Sequence, residues 1–139
     1  MKFSTKTRYG IRAMLEIAKD ESQNGVFQKD IALNQDLSVK YLDQIICGLK
    51  TAGLIINLRG KKSGYILTRP PAEITMLDIH NAFEPGICVI DCMATGFVCD
   101  RKGICQVKGF WENLNTMIVD YFKSVTLQDL RDNKVLLDH

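Results

Sequence analysis

Apolar positions recur along the first fifty residues at helical spacing. Ile11, Met14, Leu15 and Ala18 follow the i, i+3, i+4, i+7 pattern, predicting a helix that Ser4 or Thr5 caps and that runs to about Asp20. Asn24-Gly25 breaks the chain, and a short helix from about Gln28 to Asn34 presents Ile31 and Ala32. After a turn around Gln35–Leu37, Ser38 is the N-cap of a third helix. There Leu42, Ile45, Ile46 and Leu49 form one well-defined stripe for burial. Gly53 closes that helix. Leu54–Leu58 and Tyr65–Thr68 then read as strands around the turn Gly60-Lys61-Lys62-Ser63-Gly64, a hairpin with a basic tip.

Pro70-Pro71 marks a boundary, after which Thr75 caps a helix to about Glu84. Residues 85–106 show no clear periodicity, hold four cysteines and are rich in glycine; a stretch that long without regular structure is usually functional or disordered. From Val107 the chain turns helical again, with Trp111, Leu114, Ile118, Tyr121, Phe122 and Val125 on one face. That face is long, aromatic and apolar enough to require a partner. Thr126 caps a last short helix. The expected fold is mainly α with a small β-hairpin wing: a winged helix-turn-helix domain over 1–70, then a linking helix, a cysteine-rich loop (85–106) and a dimerisation helix within 71–139.

Three helices followed by a basic-tipped hairpin is the order of a winged helix-turn-helix, and the side chains suit duplex DNA. The apolar stripe pins the third helix inward and leaves Lys40, Tyr41, Asp43, Gln44 and Cys47 wholly or partly outward. Gln44 can pair bidentately with adenine, and Asp43 can accept from cytosine N4. Ser38, Lys40 and Tyr41 suit phosphates, which position a protein without reading sequence. On the wing, Arg59, Lys61 and Lys62 sit beside glycines that let the backbone approach a groove. Charge agrees with this division. Residues 1–70 carry twelve Lys/Arg against six Asp/Glu, whereas residues 71–139 carry six against ten. A basic first half joined to an acidic second half confines the polyanion-binding surface to the first.

At 139 residues the chain makes one domain, or one small domain with an appended dimerisation element. No stretch approaches the ~20 apolar residues of a membrane span, and the polar, basic start has no apolar run behind it. No membrane association is therefore expected, and the cytoplasm is the default compartment. Five cysteines there are not a disulfide framework, because that compartment keeps thiols reduced. Cys88, Cys92, Cys99 and Cys105 lie together and Cys47 stands apart, a grouping that points first to metal. Six residues separate Cys92 from Cys99 and five separate Cys99 from Cys105, wider than the knuckles of structural zinc sites. Thiolates in a glycine-bearing loop can instead wrap an iron–sulfur cluster, or serve as redox-active thiols.

The stretches KFSTKTRYGIRAMLEIA, LSVKYLDQI and GLKTAGLIINLRGKKSGYIL closely resemble the Rrf-type winged-helix regulators, the family that includes the iron–sulfur regulator IscR. The similarity continues through GFWENLNTMIVDYF and TLQDL to cover essentially the whole chain. The resemblance implies a homodimeric transcription regulator on palindromic operators, with Ser38, Lys40, Tyr41, Asp43 and Gln44 in the recognition helix and Arg59 in the wing. Ser63 stands where a glycine is usual, and Asp43 where glutamate is frequent. Cluster-binding members carry three cysteines at positions matched by Cys92, Cys99 and Cys105. Their fourth ligand is not matched: IscR-like proteins place a histidine where this chain has Lys108, and nitric-oxide-sensing relatives an aspartate where it has Arg8. Arg8 slightly favours [2Fe–2S] over [4Fe–4S]. Cys88 is the first candidate for the fourth ligand, beside Asp91, Asp100, Glu84, a water or a small thiol; a place in the core is the equal alternative for it. His80 reads as a structural histidine and Cys47 as a small helical residue.

Two other readings use the same residues. A regulator of this fold could sense through thiol oxidation or a small ligand without a cluster. A small iron–sulfur electron carrier would leave the basic wing and the outward helix face without a purpose. An enzyme is not expected: His80 and His139 are far apart in sequence, no nucleophile–base pair suggests itself, and no phosphate-binding glycine motif occurs.

Overall fold

The computed structural model of the chain describes residues 2–22, 24–60, 63–89 and 106–135. Helix α1 (Thr5–Ala18) starts at Ser4, whose side chain accepts from the Thr7 backbone N–H. Its buried residues Ala13, Met14, Ile17 and Ala18 belong to the core, and α2 (Gln28–Gln35) and α3 (Val39–Thr51) are among the elements packed on the helix. Asp36 ends α2 in the left-handed region at φ 54°, a conformation that an aspartate tolerates better than most side chains. Helix α3 opens on Ser38, which accepts from Tyr41 N at 3.1 Å, and it buries Leu42, Ile45, Ile46 and Leu49. The predicted stripe is thus the observed one.

Strands β1 (Ile55–Asn57) and β2 (Tyr65–Leu67) pair antiparallel with Ile56 opposite Ile66. Val26 adds an isolated bridge to Tyr65, exchanging hydrogen bonds of 3.0 and 2.8 Å. The close approach needs glycine on both chains: a Cβ on Gly64 would stand 2.6 Å from the Gly25 carbonyl carbon.

A 3₁₀ turn (Pro71–Glu73) leads to α4 (Met76–Asn81), which is shorter than the sequence pattern predicts; the chain leaves the helix through turns before Pro85. Thr75 opens α4 with a reciprocal capping box to Asp78. After the segment 90–105 come α5 (Lys108–Ser124) and α6 (Leu127–Arg131), the latter capped by Thr126 and Asp129 in the same way. The starts of α4 and α6 are laced together by Met76 N to Val125 O at 2.9 Å and Leu127 N to Ile74 O at 2.8 Å. Ile74, Met76, Ile79, Val125 and Leu127 therefore join the core of α1–α3. No residue of α5 is fully buried, and Phe110, Met117 and Tyr121 are mostly exposed. Tyr121, which the pattern groups with Phe122 and Val125, faces away from that core. Among the described residues no helix is long and apolar enough to cross a membrane.

Candidate nucleic-acid interface and cysteine loop root

The candidate recognition surface is the exposed side of α3. Lys40, Asp43, Gln44 and Cys47 are exposed and share one face over three successive turns, while the opposite side is locked into the core. Ser38 is also exposed, although its hydroxyl is engaged as the cap. Tyr41 is half-buried, and its ring meets Tyr9 of α1 edge-on at 5.5 Å. Tyr41 is thus braced by α1, not swinging free, and the Arg12 guanidinium covers the Tyr9 ring at 5.2 Å. Arg12 also donates to the backbone oxygen and side chain of Gln35, fixing the end of α2.

Asp43 accepts a hydrogen bond from Gln28 Nε2, which also reaches Val39 O at 3.3 Å. Gln28 is a neighbour that periodicity does not reveal, because the contact joins residues fifteen positions apart on two different helices. One carboxylate oxygen of Asp43 is held by Gln28, which orients the exposed side chain.

The wing is closed by Ser63. Its hydroxyl accepts from Arg59 N at 2.7 Å and donates to Gly60 O at 2.7 Å. Asn57 Nδ2 donates to Ser63 O at 3.1 Å, and Lys50 Nζ donates to Asn57 Oδ1 at 3.0 Å. Serine in place of the usual glycine therefore stiffens the tip. Arg59 is exposed beside it; Lys61 and Lys62 lie outside the described residues.

At the other end of α4, the root of the cysteine loop is anchored to three elements. His80 is buried, and its Nε2 donates to Gly86 O at 2.8 Å. A carbonyl only accepts, so Nε2 carries a proton, and Nδ1 lies 3.1 Å from Glu84 Oε2 without the alignment of a hydrogen bond. Phe3 and Phe122 pack edge-on against the imidazole. Thr7 Oγ1 donates to Glu84 at 3.2 Å, and Val89 N donates to Asn115 Oδ1 of α5 at 2.9 Å. His80 is thus a structural residue tying the loop root in place. Ile87 and Val89 are buried while Cys88 between them is exposed, so Cys88 is not a core residue. Cys47 is exposed as expected. Cys92, Cys99 and Cys105, with Asp91 and Asp100, lie outside the described residues. Among the described residues no three histidine, cysteine or acidic side chains converge as a metal site.

A winged helix with this capped, outward-facing third helix has an established family. Residues 3–133 match the Rrf2 model, described as an iron-dependent transcriptional regulator. The chain belongs to the Rrf2 family. The HTH-type transcriptional regulator IscR of Vibrio campbellii is 33% identical over 137 residues, which cover 98% of this chain and 81% of that one. Among solved structures, CymR, the global cysteine regulator of B. subtilis, superposes with a TM-score of 0.81 at 32% identity, over 96% of this chain and 98% of CymR. IscR of T. potens superposes at 0.76 with 32% identity, over 100% and 94%. The Rrf2 protein described here is a transcriptional regulator, and its family of winged-helix DNA binders implies a DNA partner.

Proposed function

We propose that this Rrf2 protein binds a palindromic operator as a homodimer and that an iron–sulfur cluster controls the binding. The single observation that carries the DNA half is the exposed face of α3. Lys40, Asp43 and Gln44 stand outward on a helix whose other side is fully locked, next to a stapled wing bearing Arg59. Gln44 and Asp43 read bases; Ser38, Lys40, Tyr41, Arg59, Lys61 and Lys62 hold phosphates or the minor groove. The exposed stripe Phe110, Met117 and Tyr121 on α5 supports the dimer, since large apolar side chains left on one helix call for a partner.

The sensing half rests on the donor set and on likeness to IscR. Cys92, Cys99 and Cys105 supply three thiolates, and Cys88 is exposed at the loop root as the candidate fourth. Thiolates of this number fit a cluster, with [2Fe–2S] slightly favoured over [4Fe–4S]. When bound, the cluster would supply redox- and iron-dependent bridging of the loop; the chain's own part is to tie that loop to α1 and α5 through Glu84 and Val89. A second reading, regulation by thiol oxidation without a cluster, is favoured by one observation: Cys47 is exposed on the DNA-facing helix.

The test is equilibrium binding to a duplex enriched by the wild type from a randomised library, measured against salt. Lys40→Ala should weaken all duplexes alike and lower the salt slope by about one. Gln44→Ala should cost about 1–3 kcal/mol on the enriched duplex only. Equal losses on every sequence from Gln44→Ala would contradict its role as a base reader.

A further inference from the structure

We propose that Phe83 is a wedge that sets the distance between α1 and the recognition helix, which makes it a positioning residue for operator recognition. The proposal rests on the DNA-binding reading above. Phe83 leaves the C-terminal turn of α4, its N–H bonded to His80 O at 3.1 Å, and its ring enters between α1 and α3. Both helices present a glycine to it. A Cβ on Gly48 of α3 would stand 2.5 Å from Cε1 and 3.1 Å from Cδ1 of the ring. A Cβ on Gly10 of α1 would overlap Cε2 on the other edge and lie 3.0 Å from Cζ. Glycine is a poor helix former, so two interior glycines facing one ring mark a contact that side chains at those positions would prevent.

The ring is therefore gripped from both helices. A methyl added on either one presses the ring toward the other, so either the ring turns aside or the helices part. What yields is fixed by the neighbouring contacts. Glu84, the next residue, is bound by Thr7, which ties the wedge to α1, and His80 of α4 binds Gly86 behind it. The free space is an open groove of about 490 Å³ lined by Phe83, by Gly48, Cys47, Gln44 and Asp43 of α3 and by Lys6 of α1. Gln44 and Asp43 belong to the base-reading face. A displaced ring thus bears on the helix segment that carries Gln44 and Asp43, whose base contacts demand closer placement than contacts to phosphate.

The experiment compares the full-length wild type with Gly48→Ala, Phe83→Leu and the double variant. Each is titrated with the duplex enriched by the wild type and with a scrambled duplex, across salt, alongside its thermal midpoint. Gly48→Ala should lower the ratio of specific to non-specific affinity by about tenfold, the discrimination carried by a displaced base contact, with the salt slope retained. Adding Phe83→Leu to Gly48→Ala should restore most of that ratio, because the shorter side chain makes room for the new methyl. Simple destabilisation would lower both affinities together and would not be rescued by a second core truncation. If Gly48→Ala does not fold, Phe83→Leu alone must lower the ratio at unchanged non-specific affinity. An unchanged ratio in Gly48→Ala, or a double variant no better than Gly48→Ala, overturns the wedge. A wild type that enriches no duplex overturns the DNA-binding reading and the wedge with it.

Discussion

Partial burial pushes the Glu16 carboxyl up, but hydrogen bonds from Gln35 and Asn34 and the nearby Lys19 ammonium more than offset it, holding the group below its ordinary 4.5. A depressed carboxylate contributes stability that is present above its unfolded value and lost as pH falls through its folded value. Glu16→Gln should therefore be less stable than wild type at neutral pH, with the gap closing below about pH 4.5 in thermal melts. A constant gap would mean that packing, not charge, explains the loss. Ser63→Gly removes both hydroxyl bonds at the wing tip; with about 1 kcal/mol of ordering lost, DNA affinity should fall about threefold to tenfold. Fluorescence anisotropy would detect it, and unchanged affinity would show that the tip needs no staple. Caps at Ser38, Thr75 and Thr126 are legible in the sequence because a cap is local chemistry. Gln28 holding Asp43, and Tyr9 bracing Tyr41, are not, because each depends on how two helices come together.

Helix α3 was legible as an element because its four apolar side chains fall on one stripe and the whole stripe is buried within the chain. Helix α5 was legible only in part. Its period predicts a helix, yet its apolar residues divide between two surfaces: Phe122 packs on Phe3 and His80, while Phe110, Met117 and Tyr121 point outward. A period records that side chains are apolar, not which body covers them. If a second copy covers this face, Met117→Glu should raise the dimer dissociation constant by at least about a hundredfold, since a charge would be buried in an apolar contact. Analytical ultracentrifugation reads this directly; a variant that sediments like wild type would place the dimer contact elsewhere. Helix α4 is shorter than its pattern suggests because the chain must turn before Pro85 to bring Gly86 back onto His80.

For the whole molecule, the architecture follows from lacing a winged helix to the base of α5 through the paired starts of α4 and α6. The order of helices and hairpin was enough to read this winged fold from the residues, and the Rrf2 match agrees. The cysteines are a different matter, since thiol spacing constrains chemistry without placing the groups in space. Cys88 illustrates this: core and ligand roles were equal from sequence, and its exposure between buried Ile87 and Val89 removes the first. An iron and acid-labile sulfide assay, with the visible spectrum, on protein purified without oxygen decides whether a cluster controls this regulator. Cluster binding predicts a coloured wild type with stoichiometric sulfide and a Cys92→Ala variant that has lost both. A wild type that stays colourless and free of sulfide after reconstitution would contradict it.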